Sequence, residues 1–395
     1  MEDVRQLKRL ADRKTWLVAS GFVLYLLIIV SRGIRGLDQI PSDPGYSAIA
    51  HRIGHPLKII GFQPYLHTDQ LMIASIAAFV QIDFQGIVAS LITHAVWTIC
   101  AVVICLSLVR LQIARWVSYV SGLTLALCPW AAQSSLGNFG NVRWPILTAV
   151  VVVVACESTR PTPNTAILIA ASCVAAITNP IAVVIVVSLL TNVLHKHSVS
   201  IRQIMLVGAP VTAVLILNIS MNGLGGHGAK VATLWDGAGL FWLSGVYLPP
   251  ALSVLGIVLS LFLLKSKTET QAFCYTMFTS SLAVALLSYQ LGGIADRYFV
   301  TPAVLVGIGL LVLVDKATAH HRTQRILAMG TLGIVLLLPT WQWFSVFPYL
   351  SNGPKWSLQV DSARQLCTKS EIQEFQLITS DGTTNTDPLQ CELLR

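Results

Sequence analysis

Six acids stand apart from the other carboxylates of this chain: Asp38, Asp43, Asp69, Asp83, Asp236 and Asp296. The remaining twelve of its 18 Asp and Glu residues fall in the N-terminal segment, at one set of ends of the apolar runs, or in the polar C-terminal tail. An acid held at an apolar boundary is expensive to desolvate, so such positions are candidate functional groups. The chemistry they suit is proton acceptance from a hydroxyl. Other familiar constellations are missing. Gly223-Leu224-Gly225-Gly226-His227-Gly228 follows an apolar run and lacks the Lys-Ser/Thr of a phosphate-cradling loop, so it reads as an outer loop. There is no Cys-x-x-Cys, no His-Glu-x-x-His and no serine-hydrolase elbow, and the nine histidines are scattered, so no zinc site is expected. His94 lies mid-run, where a lone His packs helices by hydrogen bonding.

The elements that must position these acids are membrane spans. Hydrophobic residues make up 54% of the 395, charged residues only 11%, and the mean hydropathy is +0.69, far from the balance of a water-soluble domain. The fold class expected is an all-α polytopic membrane protein. Run length predicts eleven spans, near Trp16–Arg32, Gly86–Val109, Ile113–Ala132, Arg143–Glu157, Thr165–Thr178, Ile181–Leu194, Ile204–Met221, Leu248–Leu264, Gln271–Tyr289, Tyr298–Val314 and Ile326–Ser345. The stretch from Thr165 to Leu194 reads as a hairpin broken at Asn179-Pro180, with one kinked helix as the alternative. With the N-terminus cytoplasmic, fifteen of 26 Lys and Arg residues fall on the cytoplasmic side, seven on the outer side and four in the tail. All six acids then share the outer side. The net charge of +8 is this orientation signal and carries no argument for nucleic acid. The first run lacks a small-residue cleavage site and reads as an anchor.

Two domains are expected: a transmembrane part, 1–345, whose first outer loop spans about 33–85, and an extracytoplasmic segment, 346–395. The tail is polar and Ser/Thr-rich. Six of the eight cysteines sit in or beside apolar runs, while Cys367 and Cys391 lie in the tail at a spacing that suits a disulfide closing a small lobe. Such a bond requires an oxidising compartment and agrees with an outer C-terminus. The first loop is long for this chain, which marks a functional or self-folded segment. Its last part, Leu71–Val80, is apolar but too short to span and fits a helix lying in the membrane interface.

The segment Gln63-Pro64-Tyr65-Leu66-His67 before an apolar stretch, the segment Gly137-Asn138-Phe139-Gly140-Asn141-Val142-Arg143-Trp144-Pro145, and the Trp356…Cys367…Cys391 tail resemble uncharacterised actinobacterial-type members of the GT-C superfamily of membrane glycosyltransferases. The resemblance covers most of the chain as architecture, with short motifs. Relatives of this kind often carry an arginine soon after the Tyr/His segment, where this chain has Asp69-Gln70. The resemblance implies a polyprenyl-phosphate sugar donor, a glycan or glycolipid acceptor of the cell envelope, inverting displacement at the plasma membrane, and in some members a divalent cation (Mg or Mn) near the catalytic acid. Nothing in the residues requires that metal.

It places the catalytic acid in the first outer loop, at Asp43 or Asp38; either could instead cap the helix suggested over Tyr46–Ile53. The donor phosphate calls for guanidinium groups, with Arg297, Arg143 and Arg52 as candidates and Arg35 less well placed. Snorkelling of Arg297 beside Asp296 is the plain alternative. Tyr65, His67, Asp69, Asn138, Asn141, Trp144, Asp236 and Tyr298 are candidate substrate-binding residues, the aromatic ones competing with a role as interface anchors. Two other classes stay open: a secondary transporter or flippase, to which Asn179-Pro180 would supply a broken helix, and a non-catalytic envelope-assembly protein.

Overall fold

The computed structural model describes residues 72, 75–76, 79–111, 113–127, 142–178, 180–196, 199–222, 248–264, 269–291, 299–317, 354–369, 372–378 and 388–394. Within them the chain is mostly helical. The helices are α1 (Gln85–Arg110), α2 (Arg115–Leu127), α3 (Arg143–Ser158), α4 (Thr165–Thr178), α5 (Val184–Lys196, entered through a 3-10 turn Pro180–Val183), α6 (Ile201–Asn222), α7 (Leu248–Leu263), α8 (Glu269–Leu291), α9 (Val300–Ala317) and α10 (Trp356–Lys369). Nine of the eleven predicted runs are therefore helices at nearly their expected bounds. The first and last runs lie outside the described residues.

Two stretches are long and apolar enough to cross a membrane, Ile82–Arg110 and Glu269–Tyr289. At 1.5 Å per residue, the 26 residues of α1 extend about 39 Å, more than a hydrocarbon core. The helices α4 and α7 are apolar but shorter. The outward surfaces of α1, α6 and α7 are apolar: Leu91, Ile99, Met205, Leu261 and Phe262 are more than half exposed. A water-facing helix would carry polar residues at such positions.

Side-chain hydrogen bonds show how α3 to α9 run relative to one another. Gln203 Nε2 donates to Thr165 Oγ1 (2.9 Å), so α4 and α6 start at the same end, and Asn192 Nδ2 donates to Ser158 Oγ (2.6 Å), so α3 and α5 finish together. Only six residues separate the finish of α3 from the start of α4. Asn192 thus returns to the end from which Thr165 departs, and the segment 165–194 is a hairpin, not a kinked rod. Thr148 Oγ1 donates to Thr301 Oγ1 (2.9 Å), pairing the starts of α3 and α9, while Ser253 donates to Ser281 (2.9 Å) and Ser281 to the Pro302 carbonyl (2.9 Å) across α7, α8 and α9. Small hydroxyls joining helices are what an apolar surrounding favours, because an unpaired polar group there costs most.

Packing is close where glycine allows it. A Cβ at Gly122 of α2 would lie 2.9 Å from the Ala101 carbonyl oxygen of α1, and Cβ atoms at Gly256 and Gly309 would meet the Phe278 ring at 2.4 and 2.7 Å. Phe278, fully buried, is clasped between α7 and α9 by those two glycines.

The helix directions give the bundle two unlike ends. Arg110, Arg115, Arg160, Arg202 and Lys316 all fall at one end, with Glu157, Glu269 and Asp315. The opposite end carries the start of α1, the start of α3 and the tail. The tail is not purely helical: β1 (Glu374–Phe375) pairs antiparallel with β2 (Leu389–Gln390), and Cys367 of α10 is disulfide-bonded to Cys391 with Cα atoms 5.5 Å apart. The lobe has its own small core of Trp356, Val360, Ala363, Leu377 and Leu389, closed by Ile76 from the approach to α1 and Ala89 from α1 itself. Met72, Ser75, Ile76 and Phe79 are helical, as expected for the apolar stretch before α1, with Ile76 buried under the tail and Phe79 exposed.

Candidate functional site

The start of α3 is the one place in the described residues where the expected outer-side site has side chains on view. Val142, the N-cap residue, makes no side-chain capping bond, and Pro145 in the first turn has no N–H, so the positive end of the helix dipole is shaped by Arg143 and Trp144. The Trp144 carbonyl accepts from Thr301 Oγ1 (3.3 Å), the hydroxyl to which Thr148 donates, which pins this turn to the start of α9. Trp144 is 1% exposed, and the Arg143 guanidinium carbon stands 5.5 Å from the centre of its ring. The indole is therefore a platform beneath a cation and not an open stacking face for a sugar. Arg143 is half-buried, its Nε is buried without a hydrogen-bond partner, and no carboxylate among the described residues pairs with it. A guanidinium so placed can take an oxyanion.

Asp83, one of the six acids, has a different occupation. Its carboxylate accepts two bonds from Arg364 of α10, Nη1 to Oδ1 at 2.7 Å and Nη2 to Oδ2 at 2.9 Å. The Arg364 guanidinium holds the Asp83 carboxyl below its ordinary pKa, outweighing the opposing effect of desolvation, and Asp83 in turn raises that of Arg364. The Trp356 indole N–H donates to the Ile82 carbonyl (2.6 Å) alongside. Asp83 is thus a docking residue for the tail, and the two residues that hold it together are 281 positions apart. Sequence reading missed Arg364, because nothing local to either residue signals the pair.

The disulfide expected at Cys367 and Cys391 is present. Asp43, Asp38, Arg297, Arg52, Tyr65, His67, Asp69, Asn138, Asn141, Asp236 and Tyr298 lie outside the described residues. Among the described residues, no group of three or more His, Cys, Asp or Glu converges.

Sequence reading also passed over Glu157, near the finish of α3. It is buried, contacts Arg160 Nη1 through both oxygens at 3.2 Å, and accepts the Asn164 N–H at 2.8 Å. Asn164 in turn caps α4 through the Ala166 N–H (3.0 Å). The acid, its arginine and the cap form the α3–α4 turn. Comparison of the chain with protein-family models, with curated proteins and with solved structures returns no match.

Proposed function

We propose that this chain is a multi-pass plasma-membrane glycosyltransferase of the GT-C type, with about eleven spans, a cytoplasmic N-terminus and an extracytoplasmic tail, which transfers a sugar from a polyprenyl-phosphate donor to a glycan or glycolipid of the cell envelope. The observation that carries the reading is Arg143. It lies at the dipole-positive start of α3, seated over Trp144, with no anion beside it among the described residues and at the end of the bundle where the disulfide-bonded lobe docks. The opposite end holds the cluster of Arg110, Arg115, Arg160, Arg202 and Lys316, which supports the orientation under the positive-inside rule.

In the proposed reaction the acceptor hydroxyl attacks the anomeric carbon. Its proton passes to a first-loop carboxylate, Asp43 or Asp38, as the bond from that carbon to the phosphate oxygen breaks. The departing polyprenyl phosphate takes the bond's electron pair, and Arg143, with Arg297 and Arg52, holds the resulting charge. The rigid fork of arginine suits this better than a lysine ammonium.

The test is transfer in proteoliposomes from a panel of polyprenyl-phosphate sugars to envelope-lipid acceptors, with Asp43→Asn, Asp38→Asn and Arg143→Gln beside the parent. One Asn variant should lose turnover by a factor of about 10²–10⁴. Arg143→Gln should weaken donor use by roughly tenfold or more, with Arg143→Lys recovering part of it. A folded parent that neither binds nor transfers any donor sinks the proposal.

A further inference from the structure

At the basic end of the bundle α1, α3 and α4 enclose a crevice of about 170 Å³ that the proposed transfer chemistry does not use. Its walls are Val103, Leu106, Leu111, Val153 and Ile167, and Arg110 and Arg160 line it together with Glu157. The charges are not balanced. Glu157 is engaged by Arg160 through both oxygens and by the Asn164 N–H, which leaves its neighbour Arg110, exposed at the finish of α1, with no carboxylate partner among the described residues. Two guanidiniums and one carboxylate make a net positive lip on an apolar slot. The slot also opens sideways: Leu106 is 55% exposed, and Leu91 and Ile99 continue the apolar surface along α1.

We infer that this crevice binds an anionic phospholipid, its phosphate on Arg110 and Arg160 and its acyl chain along Leu106, Val153 and Ile167. The occupant follows from the combination. A free anion would have no use for the apolar walls, and a neutral lipid no use for the arginines, whereas a basic pocket between helices on the positive side of a membrane protein is matched to an acidic headgroup. The inference rests on the membrane placement proposed above but not on glycosyl transfer.

Its test therefore uses no sugar donor. The purified chain in detergent is offered phosphatidylglycerol or phosphatidylcholine of identical acyl chains, and bound lipid is counted by native mass spectrometry, with inorganic phosphate as competitor. Phosphatidylglycerol should be retained preferentially. Arg110→Gln should weaken it about fivefold, the factor that about 1 kcal/mol per basic residue represents. Leu106→Trp, which fills the slot from an exposed position, should do likewise, and Arg115→Gln, at the same end but outside the crevice, should leave retention unchanged. Equal retention of the two lipids overturns the inference, as does parent-like binding by Arg110→Gln and Leu106→Trp, or an equal loss in Arg115→Gln. Displacement of the lipid by millimolar phosphate would show a free-anion site instead and overturn it too.

Discussion

Asp83 shows how little a residue's type says about its work. By charge and position it belongs with the six candidate functional acids, yet both its oxygens are committed to Arg364. The hydrogen bonds from Arg364 hold its folded-state pKa below the ordinary carboxylate range. A depressed carboxylate contributes stability above its unfolded pKa and loses that contribution as pH falls through the folded value. Tail docking should therefore be constant at neutral pH and weaken below about pH 4. Both side chains are 37% exposed, so solvent screens the pair and its worth is about 0.5–1 kcal/mol. Asp83→Asn should abolish the pH-dependent part, read as protease sensitivity of the tail against pH; an unchanged profile in that variant would assign the dependence to another group. Arg143 is the opposite case: its sequence surroundings propose it as an oxyanion ligand, and among the described residues no carboxylate pairs with it.

At the scale of elements, helix contacts depend on a few small residues. Replacing Gly122 by Val sets a branched side chain against the Ala101 carbonyl, and replacing Gly309 by Val presses on Phe278. Each should cost about 1–3 kcal/mol by overpacking, measured as a lowered midpoint of thermal unfolding in detergent; Gly208, whose Cβ would lie 3.5 Å from Val186, should accept Ala with little change. The tail lobe depends on its disulfide. Cys367 and Cys391 are 24 positions apart, and closing a loop of that size stabilises by about 3 kcal/mol on a chain-entropy account. Cys367→Ser with Cys391→Ser should loosen the lobe and expose Trp356 and Ile76 together, seen as increased hydrogen exchange over 356–378 and 72–92. Exchange confined to the tail would mean that the lobe does not hold the approach to α1.

For the molecule as a whole, the segregation of charge between the two ends makes a topological prediction. An epitope inserted in the turn between Arg160 and Asn164 should become reactive only after permeabilisation, while one placed after Arg395 should react on intact cells. The reverse pattern would invert the bundle and move the arginine cluster to the outer face. Nine of the eleven runs were legible in the sequence because a helix in apolar surroundings must satisfy its own backbone, so run length and punctuation almost dictate its bounds. The hairpin at 165–194 was legible only as a preference; Asn192 reaching Ser158 decides it.

The sequence by itself determined the helical and apolar character of the chain, most helix limits, the gathering of basic residues at one set of ends and the pairing of the two tail cysteines. Each follows from the cost of desolvating a charge or a peptide group, or from two thiols set apart from the apolar runs in one short polar segment, and these are properties of a residue and its near neighbours. Only the tertiary structure decided that Asp83 belongs to Arg364, that Trp144 is enclosed beneath Arg143, that Glu157 is buried in a turn, and that α1, α3 and α4 leave a cationic crevice between them. Those outcomes depend on which helix faces meet. Many pairings of apolar faces bury similar area, so shape complementarity at residues such as Gly122 and Phe278, and hydrogen bonds between distant positions, select the one adopted.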